Sequence, residues 1–228
     1  MKIKLNHDLL KANDLLAAGL RQRLAESGVL AVNLMGSPGS GKTTLLERTI
    51  ETFRDREAGL RLVVVEGDIA TTLDAERIER KGVPAVQINT EGTCHLDANM
   101  VLGATEDLDL AGLDLLVVEN VGNLVCPAGW DLGEDLKVVV ASVAEGDEKP
   151  RKYPRMFEKA AACVLNKTDL LPYVDFNLER FRDDVARLNP QAVVLPVSAR
   201  TGEGVAEWCG WLEEKLSAKR LTTRPLAG

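Results

Sequence analysis

A lysine and a hydroxyl placed directly after closely spaced glycines can do phosphate chemistry, and Gly36-Ser37-Pro38-Gly39-Ser40-Gly41-Lys42-Thr43-Thr44 has that pattern. The glycines let the backbone N–H groups close round phosphate oxygens, helped by the positive end of the following helix dipole. Lys42 brings a charge to the β and γ phosphates, and the Thr43 hydroxyl suits a magnesium ion. Carboxylates that could complete such a centre stand at two strand ends. Asp68, in Glu66-Gly67-Asp68, is a candidate for magnesium or for positioning the attacking water, and serves equally well as a turn or helix-capping aspartate. Glu119 closes another apolar run three residues before Gly122, an arrangement in which the acid sits at magnesium and the glycine N–H senses the γ phosphate. Lys42, Asp68 and Glu119 are thus the candidate catalytic residues.

The base is specified further on, by Asn166-Lys167-Thr168-Asp169. An aspartate can accept from guanine N1–H and the exocyclic amino group together, whereas adenine offers no such pair. Hydrogen bonds to a charged group are worth roughly 1.5–3 kcal/mol each, enough to choose GTP over ATP. Ser198-Ala199-Arg200 has the character of the loop that backs the guanine. Cys94 and His95 are adjacent in one loop, and Cys126 follows seven residues after Glu119. Two thiolates and an imidazole suit zinc or nickel but leave a coordination position open, which pairing across a two-fold axis could fill. Small apolar cysteines beside a loop histidine are the alternative. Cys163, within a strand, and Cys209, beside Trp208, are assigned to packing.

Apolar runs at Val29–Met35, Leu60–Val65, Pro84–Ile88, 113–118, Leu136–Val143, Ala161–Leu165 and 191–197 read as strands. Helical patterns lie between them, after the P-loop, over Thr71–Lys81, up to Leu102 and over Glu203–Ala218. An amphipathic helix over 7–27, with Leu9, Leu16, Leu20 and Leu24 near one face and Gly28 as its stop, is expected to pack on the core edge. Strands alternating with helices predict an α/β fold with a doubly wound, mostly parallel sheet, its polar motifs gathered at the carboxyl rim where such sheets bind ligands. The expected organisation is a helical segment over 1–28, a P-loop domain over 29–218 and a flexible tail over 219–228. The charged stretch 145–155 reads as a solvated loop, or as a surface for phosphate or an acidic partner.

A chain of 228 residues suits one such domain. With a net charge of −7 and no basic stripe, nucleic acid is not an expected partner. The N-terminus lacks the apolar core of a signal peptide and no run is long enough to span a bilayer, so a cytoplasmic protein with reduced cysteines and no membrane partner is expected.

Taken together, GSPGSGKT, EGD, NTEGTCHLDANM, VVENVGNLVCPA, EGDEKPRKYPRMF, NKTD and SART resemble, in this order, the hydrogenase nickel-incorporation GTPases, the HypB family. The resemblance runs from about Asn6 to Leu216. It implies a G-domain-like fold of the SIMIBI type and a slow GTPase using GTP, GDP and Mg2+. It also implies a homodimer with a Ni2+ or Zn2+ site of Cys94, His95 and Cys126 at its interface. The implied partners are the small zinc protein HypA and the large subunit of [NiFe] hydrogenase. The urease accessory GTPase is similar in the P-loop, the Glu-ending strand and the guanine motif, but has Cys-Pro-His where this chain has Cys94-His95 and lacks a counterpart of Cys126. Many relatives carry an N-terminal cysteine motif or histidine-rich stretch. Here the first 93 residues have no cysteine and only His7, so nickel storage there is not expected. A P-loop nucleotide or metabolite kinase is the alternative from another class, and NKTD speaks against it. A passive metal-binding module is a third.

Overall fold

A computed structural model describes residues 2–56, 59–69 and 71–223. Seven strands form one sheet: β1 Leu30–Met35, β2 Leu62–Asp68, β3 Ala85–Asn89, β4 Leu115–Glu119, β5 Leu136–Ser142, β6 Ala162–Asn166 and β7 Val193–Pro196. Their order is β3-β2-β4-β1-β5-β6-β7 and every pairing is parallel. The sheet is therefore wholly rather than mostly parallel. Parallel strands are covered on both faces, which is why these segments are continuous apolar runs without alternation.

Helices α1 Lys2–Glu26, α2 Lys42–Asp55, α3 Leu73–Glu79, α4 Ala98–Thr105, α5 Lys149–Lys152, α6 Pro154–Glu158, α7 Leu178–Leu188 and α8 Val205–Thr223 complete the described chain. On one face α2, α3 and α8 bury Leu45, Leu46, Ile50, Ile78, Trp208 and Leu212 against Leu30, Val32 and Leu34. On the other, α1 and α4 pack Leu20, Leu24 and Val101 against β1, β2 and β4, while α6 and α7 pack Met156, Phe157, Phe181 and Val185 beneath β5 and β6. β1 sits at the centre, between β4 and β5, where the winding reverses. The phosphate-type loop leaves its carboxyl end at that switch point.

Three expectations need correction. In α1, Leu20 and Leu24 are buried as the periodicity requires, but Leu9 and Leu16 are exposed, because contact with the sheet is made by Ala17, Leu20 and Leu24 in the later turns. The charged stretch 145–155 is no free loop. It forms a 3-10 turn and the short helices α5 and α6, with Pro150 buried and Arg151 Nε 2.6 Å from Asp184 Oδ2 on α7. The tail expected from Lys219 is helical to Thr223, where Lys219 Nζ lies 2.5 Å from Asp135 Oδ1 and Arg220 pairs with Asp114. Residues 224–228 lie outside the described residues.

Candidate functional site

At the carboxyl rim, Gly36–Gly41 curls from β1 into α2 around a cleft of about 480 Å³. Gly41 has φ of 93°, and a Cβ there would collide with the Asn166 amide, so only glycine lets the guanine-type loop close on this turn. From the start of α2, Thr43 Oγ1 donates to Glu119 Oε1 at 3.0 Å and Lys42 Nζ stands 3.8 Å from the same oxygen. The other oxygen, Glu119 Oε2, is buried without a hydrogen-bond partner. A hydroxyl, a carboxylate and an unsatisfied buried oxygen are the hard donor set that magnesium takes. Burial raises the Glu119 pKa to about 7 against the opposing effect of Lys42 and the Thr43 hydrogen bond.

Beside it stands a carboxyl group that sequence reasoning passed over. Glu66 on β2 lies directly opposite Glu119 in the strand pairing and is 2 % exposed. Burial first, then the Glu119 charge, pushes its pKa up to about 10. A signal was present: β2 and β4 both carry Val-Val-Glu at their carboxyl ends, and equal placement in adjacent parallel strands brings the two acids together. Raised above its ordinary 4.5, Glu66 keeps in the fold a proton the unfolded chain releases. Its contribution to stability is full below the unfolded value and is lost as pH climbs toward the folded one. Glu66→Gln, neutral at every pH, should flatten that loss. Between about pH 6 and about pH 9 the nucleotide-free wild type should lose up to about 4 kcal/mol more than the variant, roughly 1.4 kcal/mol per pH unit, read as urea midpoints. An identical pH slope in both proteins would contradict the paired-acid description.

Asp68 also borders the cleft, and its carboxylate is drawn into its own turn, accepting from Ile69 N–H at 2.6 Å and from the Thr71 N–H and hydroxyl. These contacts are those of the turn reading. Gly122 and Lys167 line the cleft, as do Asp74 and Arg77 of α3, which sequence reasoning did not single out. Thr44 Oγ1 accepts from Arg77 Nη2 at 3.2 Å, and Ser37 Oγ donates to Glu145 Oε2 at 3.1 Å, tying the loop to the charged stretch.

The residues expected to read the base are organised from β6 and β7. Asn166 does not face outward: its Nδ2 donates to Ser40 O at 2.9 Å, and its Oδ1 accepts from Lys167 N–H at 2.8 Å and Ala199 N–H at 3.0 Å. One amide thus joins the phosphate-type turn to the loop after β7. Lys167 is in the left-handed region at φ 62°, and Asp169 Oδ1 accepts from Ser198 Oγ at 2.7 Å. Arg48 of α2 donates to the carbonyls of Ala199 and Arg200.

About the segment after β4 a second cluster is assembled. Cys94 Sγ is 2.9 Å from Cys126 Sγ and 3.9 Å from His95 Nδ1, and among the described residues these three form a group with ligand atoms all within 4.8 Å. Both cysteines are free and half-buried. The Cys94 hydrogen bond raises the Cys126 pKa, while burial lowers that of His95 against the Asp97 charge, favouring the neutral ring that can ligate metal. Cys163 and Cys209 are fully buried, with pKa values raised by burial, which fits packing.

The two clusters are physically joined. Gly122 packs on Pro38 so closely that a Cβ would sit 2.9 Å from it. Asn123 N–H donates to Gly36 O at 2.9 Å, and the Asn123 side chain accepts from the N–H groups of Val125 and Cys126. Asn120, next to Glu119, accepts from Leu96 N–H at 3.2 Å and donates to Asn33 Oδ1 on β1.

Residues 30–196 match the CobW/HypB/UreG nucleotide-binding domain family. The chain is 51 % identical over 222 residues to the hydrogenase maturation factor HypB of Rhizobium leguminosarum, covering 97 % of this chain and 73 % of that one. It is 42 % identical to the hydrogenase/urease maturation factor HypB of Helicobacter hepaticus, covering 93 % and 88 %. The crystal structure of HypB from Helicobacter pylori in complex with nickel superposes with a TM-score of 0.85 at 38 % identity, covering 95 % of this chain and 99 % of that one.

Proposed function

The chain belongs to the HypB hydrogenase maturation factors of the CobW/HypB/UreG family, and from that premise we propose that it is a slow GTPase that carries nickel to [NiFe] hydrogenase. The observation that carries the reading is the pair of joined clusters, a P-loop cleft and a Cys-His-Cys group connected by residues 119–126. In this reading Gly36–Thr44 and Gly122 hold the phosphates, and Thr43, Asp68 and Glu119 serve the magnesium. Asn166, Lys167, Asp169, Ser198 and Ala199 frame the guanine. Magnesium, when bound, supplies positive charge to phosphate oxygens as they gain negative charge. Lys42 adds to it from the chain, and Asp68 orients the attacking water. Nickel is the cargo of Cys94, His95 and Cys126, and zinc is the competing ion for the same donors.

Three ligands from one chain suit completion by a second copy, so a GTP-dependent homodimer belongs to the proposal. An apolar groove of about 590 Å³ beside Cys126, lined by Leu9, Leu10, Val125, Trp130 and Tyr153, supports a buried face there. Lys152 and Arg155 on its rim give the charged stretch its interface role, whereas Arg151 is engaged with Asp184. The partners proposed are HypA and the hydrogenase large subunit, in the cytoplasm. No helix among the described residues is long and apolar enough to cross a membrane. A double role in hydrogenase and urease maturation is the second reading, favoured by the likeness to the Helicobacter hepaticus factor.

Nucleotide competition tests the guanine assignment. Ser198 holds one Asp169 oxygen at 2.7 Å, which orients the carboxylate for a two-pronged contact. Asp169→Asn should weaken GTP binding by at least about tenfold, the loss of one charged hydrogen bond, and improve xanthosine triphosphate, whose base edge is complementary to the amide. Equal binding of GTP and ATP by the unaltered protein would return the chain to the kinase reading.

A further inference from the structure

In the Cys94, His95, Cys126 group, the imidazole turns on two torsions, yet a metal bond accepts misplacement of only about 0.2 Å. Something must hold the ring. The Trp130 ring lies on it, with centroids 4.5 Å apart and planes 27° from parallel. Trp130 is itself fixed through its backbone, donating to Pro127 O at 3.3 Å and accepting from Lys137 Nζ at 2.6 Å. The backbones on either side are joined by a residue from far upstream. Asn13 of α1, 5 % exposed, accepts from Ala98 N–H at 2.8 Å, three residues beyond His95. Its Nδ2 donates to Asp131 O at 2.8 Å, next to Trp130.

We propose that Asn13 and Trp130 are positioning residues of the metal site, Asn13 setting the separation of the two ligand-bearing loops and Trp130 the plane of His95. The proposal rests on the reading that these three side chains bind metal. A buried amide costs free energy unless both its ends are satisfied. Here one end is met by the first residue of α4, directly after the Cys94-His95 loop, and the other by the loop after Cys126, so the amide bridges them. Only a side chain offering a donor and an acceptor can do so: leucine supplies neither, and aspartate would set a carboxylate oxygen against the Asp131 carbonyl. Asn13 also lies on the α1 face that buries Ala17, Leu20 and Leu24, so the helix docked on the sheet carries the bridge with it. Outer partners of this kind typically change metal affinity by about 10- to 100-fold when removed.

The test is nickel binding by the full chain, comparing the unaltered protein with Asn13→Ala, Trp130→Leu, Trp130→Phe and Cys126→Ala. Affinity is read with the thiolate-to-nickel charge-transfer band, the imidazole signature in X-ray absorption, binding of a GTP analogue and the melting midpoint. Asn13→Ala and Trp130→Leu should weaken nickel by about 10- to 100-fold and lose the imidazole signature while the thiolate band persists. Trp130→Phe, which keeps a ring on His95, should recover most of the affinity, and GTP-analogue binding measured without nickel should be unchanged throughout. Should Asn13→Ala not fold, the Trp130 pair decides the matter. A lowered melting midpoint with unchanged nickel affinity and unchanged imidazole signature would overturn the proposal. If instead the unaltered protein binds nickel no better than Cys126→Ala, the metal reading falls and takes this inference with it.

Discussion

Lys42→Ala should lower GTP turnover by on the order of 10²- to 10³-fold, the usual loss when one preorganised charge is taken from a transition state. The lysine is aimed by the first turn of α2 and is 7 % exposed, so its charge acts where little water screens it. Its removal has a second effect. Glu119, 3.8 Å away, loses the cation that favours its ionised form, while burial and the Asp74 charge still oppose ionisation against the Thr43 hydrogen bond and Arg77. The variant's Glu119 should therefore titrate at higher pH than that of the unaltered protein when nucleotide and magnesium are absent from both. Unfolding should stay cooperative, since the ammonium serves a ligand loop. Phosphate release checks the turnover, and a carboxyl titration of the two proteins without nucleotide or magnesium checks the shift; normal turnover would exclude this cleft as the place of hydrolysis.

The second large effect is expected between the clusters. Nickel affinity measured with a GTP analogue and with GDP should differ by about 5- to 150-fold, and by linkage nickel must bias the nucleotide by the same factor. Two tethers motivate this. Gly122 and Asn123 lie on the phosphate-type loop, and Asn123 also holds the N–H of Cys126. Asn120 reaches from the residue after Glu119 to the residue after His95. A backbone shift of a few tenths of an ångström at Glu119 or Gly122 thus reaches both ligand loops, and thiolate bonds near about 2.3 Å are sensitive to it. Cys126→Ala should weaken nickel and erase its nucleotide dependence, leaving guanine binding intact. Titration at fixed protein concentration, with mass followed in parallel, provides the measurement. Equal affinities in the two nucleotide states would mean that the two clusters are merely neighbours.

The turn at the end of β1 was legible because it requires particular residues at particular places: glycine where φ is positive and lysine opening the helix after the turn. The convergence of the strand-end motifs followed from the parallel topology alone. Contacts made by residue types with many uses were harder to foresee. Glu66 looked like part of an EGD turn, and only the pairing of β2 with β4 sets it against Glu119. Asn166 was assigned to the guanine, yet its amide also fastens the phosphate-type turn to the loop after β7. In the stretch 145–155, charge density suggested solvent, but buried Asp184, on a helix missing from the sequence reading, pairs with Arg151, and Ser37 and Asn177 bond Glu145 and Asp147. Cys94 and Cys126 could be read as ligands or as packing, and what brings them together is the Gly36–Asn123 bridge beside the central strand, a long-range contact that no local pattern encodes.

That central strand also dictates how the molecule must come into being. Leu30 of β1 pairs with Leu115, and Val32 with Leu136, so neither edge of the first-synthesised strand meets its neighbour until more than half of the chain has left the ribosome. Pairings so distant in sequence are slow to close, and an apolar strand with two open edges invites association with other chains meanwhile. Helix α1, made earlier still, can cover one face of β1 with Ala17, Leu20 and Leu24, but it cannot satisfy the strand's backbone groups. Nascent chains ending before β5 therefore carry a complete phosphate-binding sequence on a strand with no partner on that side. A stall or truncation in that interval creates a client for chaperones, whereas one after β7 leaves every strand paired.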